Sequence, residues 1–161
     1  MKISHSISVP LAAAMFVAAN FSTSAATVKA DVDWSGFLTR QDLTWDAVPT
    51  NWESGAFIGN GLLGAMIYSN GTNALQWDVG RSDVTDRGDR IAIGKFALVP
   101  QNKITDGTMR LDLWNAEARG DLKTANGEIQ WRSFTHAKEP VNVIELTGAA
   151  DSPLPKIVFQ H

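Results

Sequence analysis

The chain has 161 residues, with 17 acidic and 14 basic side chains, no cysteine, and a mean hydropathy of −0.10. The mildly acidic balance excludes a nucleic-acid binder that works by neutralising phosphates. The lack of cysteine excludes disulfide scaffolds, thiolate zinc sites and cysteine nucleophiles together.

In chain order, residues 1 to 26 come first. Lys2 is their single charge, an apolar run from Ile7 to Phe21 follows, and Ser24-Ala25-Ala26 supplies small residues, which is the pattern of a cleaved export signal. The run is interrupted by Pro10 and Asn20 and is shorter than the about 20 residues a spanning helix needs. Val28-Lys29-Ala30 offers a second cleavage site, and no cysteine follows for a lipid anchor. Residues 27 to 161 then make an exported protein, periplasmic or extracellular, with no membrane association after cleavage. Removing 26 residues from 161 leaves 135, and with Lys2 gone 13 basic side chains face 17 acidic ones, a net charge of −4. That length suits one domain. Residues 27–42 read as an N-terminal linker and 43–161 as the domain.

Within the domain, short alternating runs separated by turn signals predict antiparallel strands. Leu62 to Tyr68 and Ala74 to Val79 flank Asn70-Gly71, which predicts a hairpin with a tight type I′ turn. The sequon Asn70-Gly71-Thr72 is read as that turn and not as a glycosylation site. Arg90 to Pro100 is a third strand with no polar face, so burial on both sides is expected. Met109, Leu111 and Leu113 alternate with Arg110, Asp112 and Trp114 in a fourth. Ala118 to Thr124 and Glu128 to Thr135 flank Ala125-Asn126-Gly127, with Ile129, Trp131 and Ser133 opposing Gln130, Arg132 and Phe134. Val141 to Leu146 is a further strand, and a loop from Gly148 to Pro155 leads to Ile157-Val158-Phe159. Nothing sustains helical periodicity over three turns. The expected fold class is all-β, an antiparallel β-sandwich of two sheets packed face to face. The last strand opens close to His161 and is expected to lack a partner, which leaves an exposed edge and suggests the front piece of a larger protein.

Three stretches resemble one family in the same order. Trp52 to Tyr68, containing Gly59-Asn60-Gly61-Leu62-Leu63-Gly64-Ala65-Met66, is similar to the "G-N-G-x-L-G-A-M" opening of glycoside hydrolase family 95. Leu75 to Asp86 is similar to the strand and loop that follow it. Met109 to Ala118, Gly127 to Thr135 and Val141 to Leu146 resemble the "R-x-L-D-L-x-x-A" strand and its successors. The family is best known for inverting α-L-fucosidases. The resemblance implies the N-terminal β-sandwich that precedes a helical (α/α)6 catalytic barrel, with a carbohydrate as the partner of the whole enzyme and the barrel as the partner of this domain. This chain has Trp77-Asp78-Val79-Gly80-Arg81-Ser82-Asp83 where fucosidases of the family carry an "L-N-E-D-T-L-W-S-G"-like segment, so fucose is the leading sugar and the specificity stays open.

Inverting hydrolysis needs a general acid and a water-activating base about 6.5 to 9.5 Å apart. In the family both sit in the barrel, and no residue here matches them, so no catalytic residue is assigned. Asp78, Asp83, Asp86 and Asp89 alternate with Arg81, Arg87 and Arg90, which reads as a loop of compensated charges. Their spacing is not that of a calcium loop, and His5, His136 and His161 are too scattered for zinc. No cofactor and no metal is expected. Gly59-Asn60-Gly61 has no following Lys-Ser/Thr and no helix to open, so it is not a phosphate loop. Trp114 and Trp131 fall on predicted strands and read as packing residues, whereas Trp45, Trp52 and Trp77 flank loops and are the better ligand contacts. Asn60, Trp77, Asp78, Arg81 and Asp83 are the candidates for contact with substrate or the barrel. The glycine loop and the segment Arg81 to Arg90 are expected to meet at the end of the sandwich opposite Asn70-Gly71. The competing readings are a stand-alone sugar-binding sandwich and a purely structural one.

Overall fold

A computed structural model describes residues 31–69, 71, 73–148 and 154–161. The export signal, both cleavage sites, Asn70, Thr72 and most of the loop before Leu154 lie outside the described residues. Among the described residues, a short helix α1 (Trp34–Thr39) and a strand β1 (Leu43–Trp45) precede a single turn of 3-10 helix (Trp52–Ser54). The strands that follow are β2 (Ala56–Gly59), β3 (Leu63–Tyr68), β4 (Leu75–Asp86), β5 (Asp89–Val99), β6 (Ile104–Asp112), β7 (Glu117–Thr124), β8 (Gly127–Thr135), β9 (Asn142–Gly148) and β10 (Lys156–Gln160). They form two antiparallel sheets of five strands, ordered β1-β6-β7-β8-β9 and β10-β5-β4-β3-β2. The fold is an all-β sandwich, as the alternation predicts.

The period of two decides what each strand buries. In β3, Leu63, Ala65 and Ile67 point inward, and in β8 Ile129, Trp131 and Ser133 do so while Gln130 and Arg132 face water. Side chains from both sheets fill one core, with Ile67, Leu75, Trp77, Leu98, Met109 and Leu122 essentially inaccessible. Trp77 of β4 stands edge-on to Trp131 of β8 at 5.8 Å and 87°. Its indole N–H donates to Ser133 Oγ at 3.1 Å, and that hydroxyl donates to the Val143 carbonyl at 2.8 Å.

Several sequence expectations are corrected. Tyr68 pairs with Gln76, so seven residues separate the last pair of the β3–β4 hairpin where a type I′ turn has two. The type I′ geometry occurs instead between β4 and β5, where Asp86 pairs with Asp89 and Arg87 and Gly88 have φ of 48° and 93°. The stretch from Arg81 to Asp86 is therefore strand, not loop. β5 is not buried on both sides, because Asp89 to Ile91 run with the end of β4 beyond the last β3 pair, Leu63 with Arg81. In the β7–β8 turn, Thr124 pairs with Gly127, so Ala125 and Asn126 are central and the positive φ of 120° falls on Gly127. Trp114 sits half exposed in the β6–β7 turn and not in the core, because Asp112 ends the strand by accepting from the backbone and side-chain amides of Asn115. β10 does have a partner: Lys156 to Gln160 pair with Val99 to Lys95, leaving one free edge. Gly94 is required there, since a Cβ at its φ of 150° would lie 2.5 Å from the Gln160 carbonyl oxygen.

The stretch assigned as linker contributes to the fold. Asp42 accepts from Arg110 Nε at 2.7 Å and from Leu113 N at 2.9 Å, which ties the chain before β1 to the outside of β6.

Replacing Trp77 by Phe removes buried volume and one hydrogen bond and is expected to cost about 2–3 kcal/mol. Trp131→Phe removes a similar volume but no hydrogen bond, because the Trp131 indole nitrogen has no partner, and should cost about 1 kcal/mol less. Urea unfolding of both variants checks the order, and a larger loss for Trp131→Phe would contradict the packing described.

Candidate functional site

The five sequence candidates separate into three environments. Trp77 is 1% exposed and belongs to the core, so it cannot touch a ligand. In the sequence it reads as a strand residue close to a loop because Gly80 and the charges after it resemble a strand end, yet β4 continues to Asp86.

Asn60 is a structural corner. Its Oδ1 accepts from Leu62 N at 3.0 Å and Leu63 N at 2.9 Å, closing the turn between β2 and β3. Its Nδ2 donates to the carbonyls of His136 and Glu139 at 2.8 and 3.1 Å, on the loop after β8. The side chain thus joins the two sheets and has little hydrogen-bonding capacity left for a ligand. The His136 ring takes part in the same corner, its Nδ1 accepting from Glu139 N at 3.0 Å.

Asp78, Arg81 and Asp83 lie on or beside the outer face of the second sheet. The register places Phe57, Met66, Asp78 and Lys95 in one row across β2, β3, β4 and β5. The next row is Gly59, Gly64, Gly80 and Ala92. Beyond it, Arg81 pairs with Leu63, and Ser82 N donates to the Leu62 carbonyl at 2.9 Å. The glycine turn and the start of the Arg81 segment are therefore side by side. Four residues of β4, Arg81 to Val84, bulge opposite Ile91 alone, which sets the Arg81–Asp83 pair at the rim. Arg81 holds Asp83 through Nε and Nη2 at 2.9 and 2.7 Å, and this hydrogen bonding keeps the Asp83 carboxyl below its ordinary 3.8. Both are solvated, so the pair contributes little to stability.

The small residues of the middle row floor a groove of ≈ 460 Å³, walled by Phe57, Met66, Leu62 and Ile91 and with Asp78, Ser82 and Arg90 among its polar groups. The pattern does not stand out in the sequence because its members come from four strands. Phe57, 59% exposed, extends its ring over Gly59 and Gly64, so a Cβ at Gly64 would lie 2.8 Å from the ring. Asp78 is held from the side: Tyr68 Oη donates to its Oδ2 at 2.7 Å and Gln76 Nε2 to its Oδ1 at 3.1 Å. Burial, reinforced by the bond to Asp78, pushes the Tyr68 phenol up to about 12.

The outer face of the other sheet carries a larger depression of ≈ 570 Å³ with Arg110, Arg119 and Arg132 side by side on β6, β7 and β8. These guanidiniums are already engaged. Arg110 binds Asp42, Arg119 reaches Asp112 at 3.1 Å, and Arg132 reaches Glu117 and Glu145 at 2.6 and 2.9 Å. Burial alone would raise the Asp112 carboxyl, but the Asn115 donors and the charges of Arg119 and Arg110 hold it below 3.8. Among the described residues no three His, Asp or Glu side chains are placed to share a metal ion. Trp45 is half-buried with its N–H on the Ser54 carbonyl at 2.9 Å, and Trp52 is exposed away from the groove lining.

No protein-family model matches the chain, and no curated protein matches it either.

Asn60→Ala should destabilise the fold by about 1–3 kcal/mol by stripping partners from two amides and two carbonyls, with Asn60→Asp intermediate because it keeps the acceptor; thermal unfolding reads this. Tyr68 is the single tyrosine, so tyrosinate absorbance titrates it directly. The folded phenol should ionise near 12 and the unfolded one near 10.0. Since the folded value is raised, stability from this group is complete below pH 10 and is lost as pH climbs towards 12. Tyr68→Phe should remove that alkaline loss, and a folded titration at 10 would contradict the buried bond.

Proposed function

We propose that this chain is the N-terminal β-sandwich of an exported glycoside hydrolase, similar to the inverting α-L-fucosidases of family 95, and that it acts in the periplasm or outside the cell. The observation that carries the reading is the set of collinear matches from Trp52 to Leu146. Two of them, Gly59 to Tyr68 and Leu75 to Asp86, lie on adjacent strands in continuous register, which is compatible with their being one inherited unit. Among the described residues, Asp78 and Asp83 are not arranged as an acid/base pair. Asp83 is engaged by Arg81, and Asp78 accepts from Tyr68 and Gln76. Hydrolysis in this reading belongs to a barrel joined to the sandwich. The exposed groove favours a second role, sugar binding by the sandwich itself.

The chain alone should show no turnover of aryl α-L-fucoside or aryl α-L-galactoside. Measured hydrolysis abolished by Asp83→Asn would overturn the assignment of chemistry to another domain. A parent protein with an intact barrel that cleaves neither these nor any other glycoside would overturn the hydrolase reading.

A further inference from the structure

The inner apolar rows of the second sheet run on past the covered core. Across the strands by register, Ile67, Trp77, Phe96 and Phe159 form one row, and Leu75, Leu98 and Ile157 form the next. Ile67, Trp77, Leu75 and Leu98 are at most 1% exposed, yet Phe159 and Ile157 at the ends of the rows are 48% and 49% exposed. The cause is position, because β10 is an edge strand, and among the described residues nothing pairs with its other side. Alternate residues of β10 therefore turn their N–H and C=O groups outward without a ladder partner. Exposed edges are commonly blunted by charges, proline or a bulge. Within β10 the single charge is Lys156, there is no proline, and the pairing with β5 is unbroken from Lys156 to Gln160.

We infer that β10 is the surface through which two copies of this chain associate, strand on strand and antiparallel, about a two-fold axis at Val158. The strand is complementary to itself in that register. Val158 faces Val158 of the second copy, Ile157 faces its Phe159, and Lys156 faces its Gln160. Each inner row then continues into the other copy, so the apolar side chains stranded at the edge cover one another. No like charges oppose: the two Lys156 ammoniums sit four residues apart along the ladder, about 13 Å, beyond the ~10 Å reach of surface charge at 0.1 M salt. The other edges lack this property. β1 and β2 have only three and four residues. β9 has seven, but its full self-pairing centres on Glu145 and sets two carboxylates opposite each other. Pairing of β10 with the β9 of another copy leaves edges free and adds copies without end, whereas β10 on β10 closes at two. A five-residue edge is small beside the about 1,600 Å² of a standard interface, so the dimer is a reversible one. The inference goes beyond the glycan reading and does not rest on it.

The test is sedimentation of the full chain from about 1 μM to 1 mM, where a monomer–dimer equilibrium is expected. Val158 points to the outer side of the sheet and is 39% exposed, so Val158→Lys and Val158→Glu should each keep the melting temperature within about 4 °C of the parent. Each should weaken self-association by about tenfold or more, because like charges then meet on the axis. Mixing the two variants should restore the dimer, since position 158 alone faces itself in this register. Hydrogen exchange in the unaltered chain gives a readout free of any effect of substitution on folding: alternate β10 amides should become protected as concentration rises. A monomer throughout the range, dimers that both variants leave intact, or a mixture that recovers no dimer overturns the proposal. Protection of β10 that does not depend on concentration also overturns it and gives the edge to another segment of the same chain.

Discussion

The bridge from Trp77 through Ser133 to the Val143 carbonyl is the constraint on which the rest depends. It joins β4 to β8 and β9 across the core, so it fixes how the two sheets sit over one another. An indole fully removed from water must place its N–H on an acceptor or forfeit a hydrogen bond. Ser133 provides that acceptor while donating its own proton onward. Hydrophobic contact alone is non-directional and would tolerate sliding of the sheets; this chain of two hydrogen bonds does not. The Asn60 corner adds a second cross-sheet tie at one end, and the Asn73 side chain, donating to the Asn102 carbonyl at 3.1 Å, ties two connecting loops elsewhere.

Once Trp77 is inward, the period of two dictates the other face of β4. Gln76, Asp78 and Gly80 must face outward, and the antiparallel register brings Tyr68, Met66 and Gly64 beside them from β3. Gln76 and Tyr68 are nonetheless 3% and 8% exposed. This outer face is thus more buried at one end than a solvated sheet surface, and it opens only where the small residues begin. A rigid polar cluster grading into an open floor is the form of a preorganised site. The order of rows follows from the sequence through register alone.

How much of this was legible in the sequence depends on how locally each signal is encoded. Strict alternation in Leu63 to Ile67 and in Ile129 to Ser133 marked strands and their inner faces, because a half-buried strand writes its burial directly into residue order. The Arg81 to Asp89 run misled for the complementary reason. A two-stranded arm extending beyond its neighbours is solvated on both faces, so it carries charges like a loop and only its pairing reveals it as strand. Trp77 was misplaced by the same error, since a strand thought to end at Val79 leaves its tryptophan near an end and free to reach a ligand. Asn60 is legible in the sequence as a turn residue but not as a tie between the two sheets. Its four partners lie on segments more than 70 residues apart in part, and no local pattern announces such a contact. The groove row was invisible for that reason too, being one residue from each of four strands.

The two outer faces differ in a way that decides where a ligand can act. On the β6–β7–β8 face, three arginines on adjacent strands would repel one another, and the fold answers by interleaving Asp42, Asp112 and Glu117, each with its side chain 5% exposed. Asp42 and Asp112 also accept from amides, Leu113 N for the one and Asn115 for the other, and Glu117 lies between Arg119 and Arg132, so each carboxylate is held by more than one donor. The face is thereby committed to its own ion pairs, and a ligand there must break bonds before making them. On the β2–β3–β4–β5 face the polar groups at the groove are held but not saturated, and a carboxylate oxygen that accepts one hydrogen bond still has capacity for another. The smaller groove is therefore the functional candidate although the larger depression lies opposite, since what a site can offer is set by unspent hydrogen-bonding capacity and accessible apolar surface, not by volume.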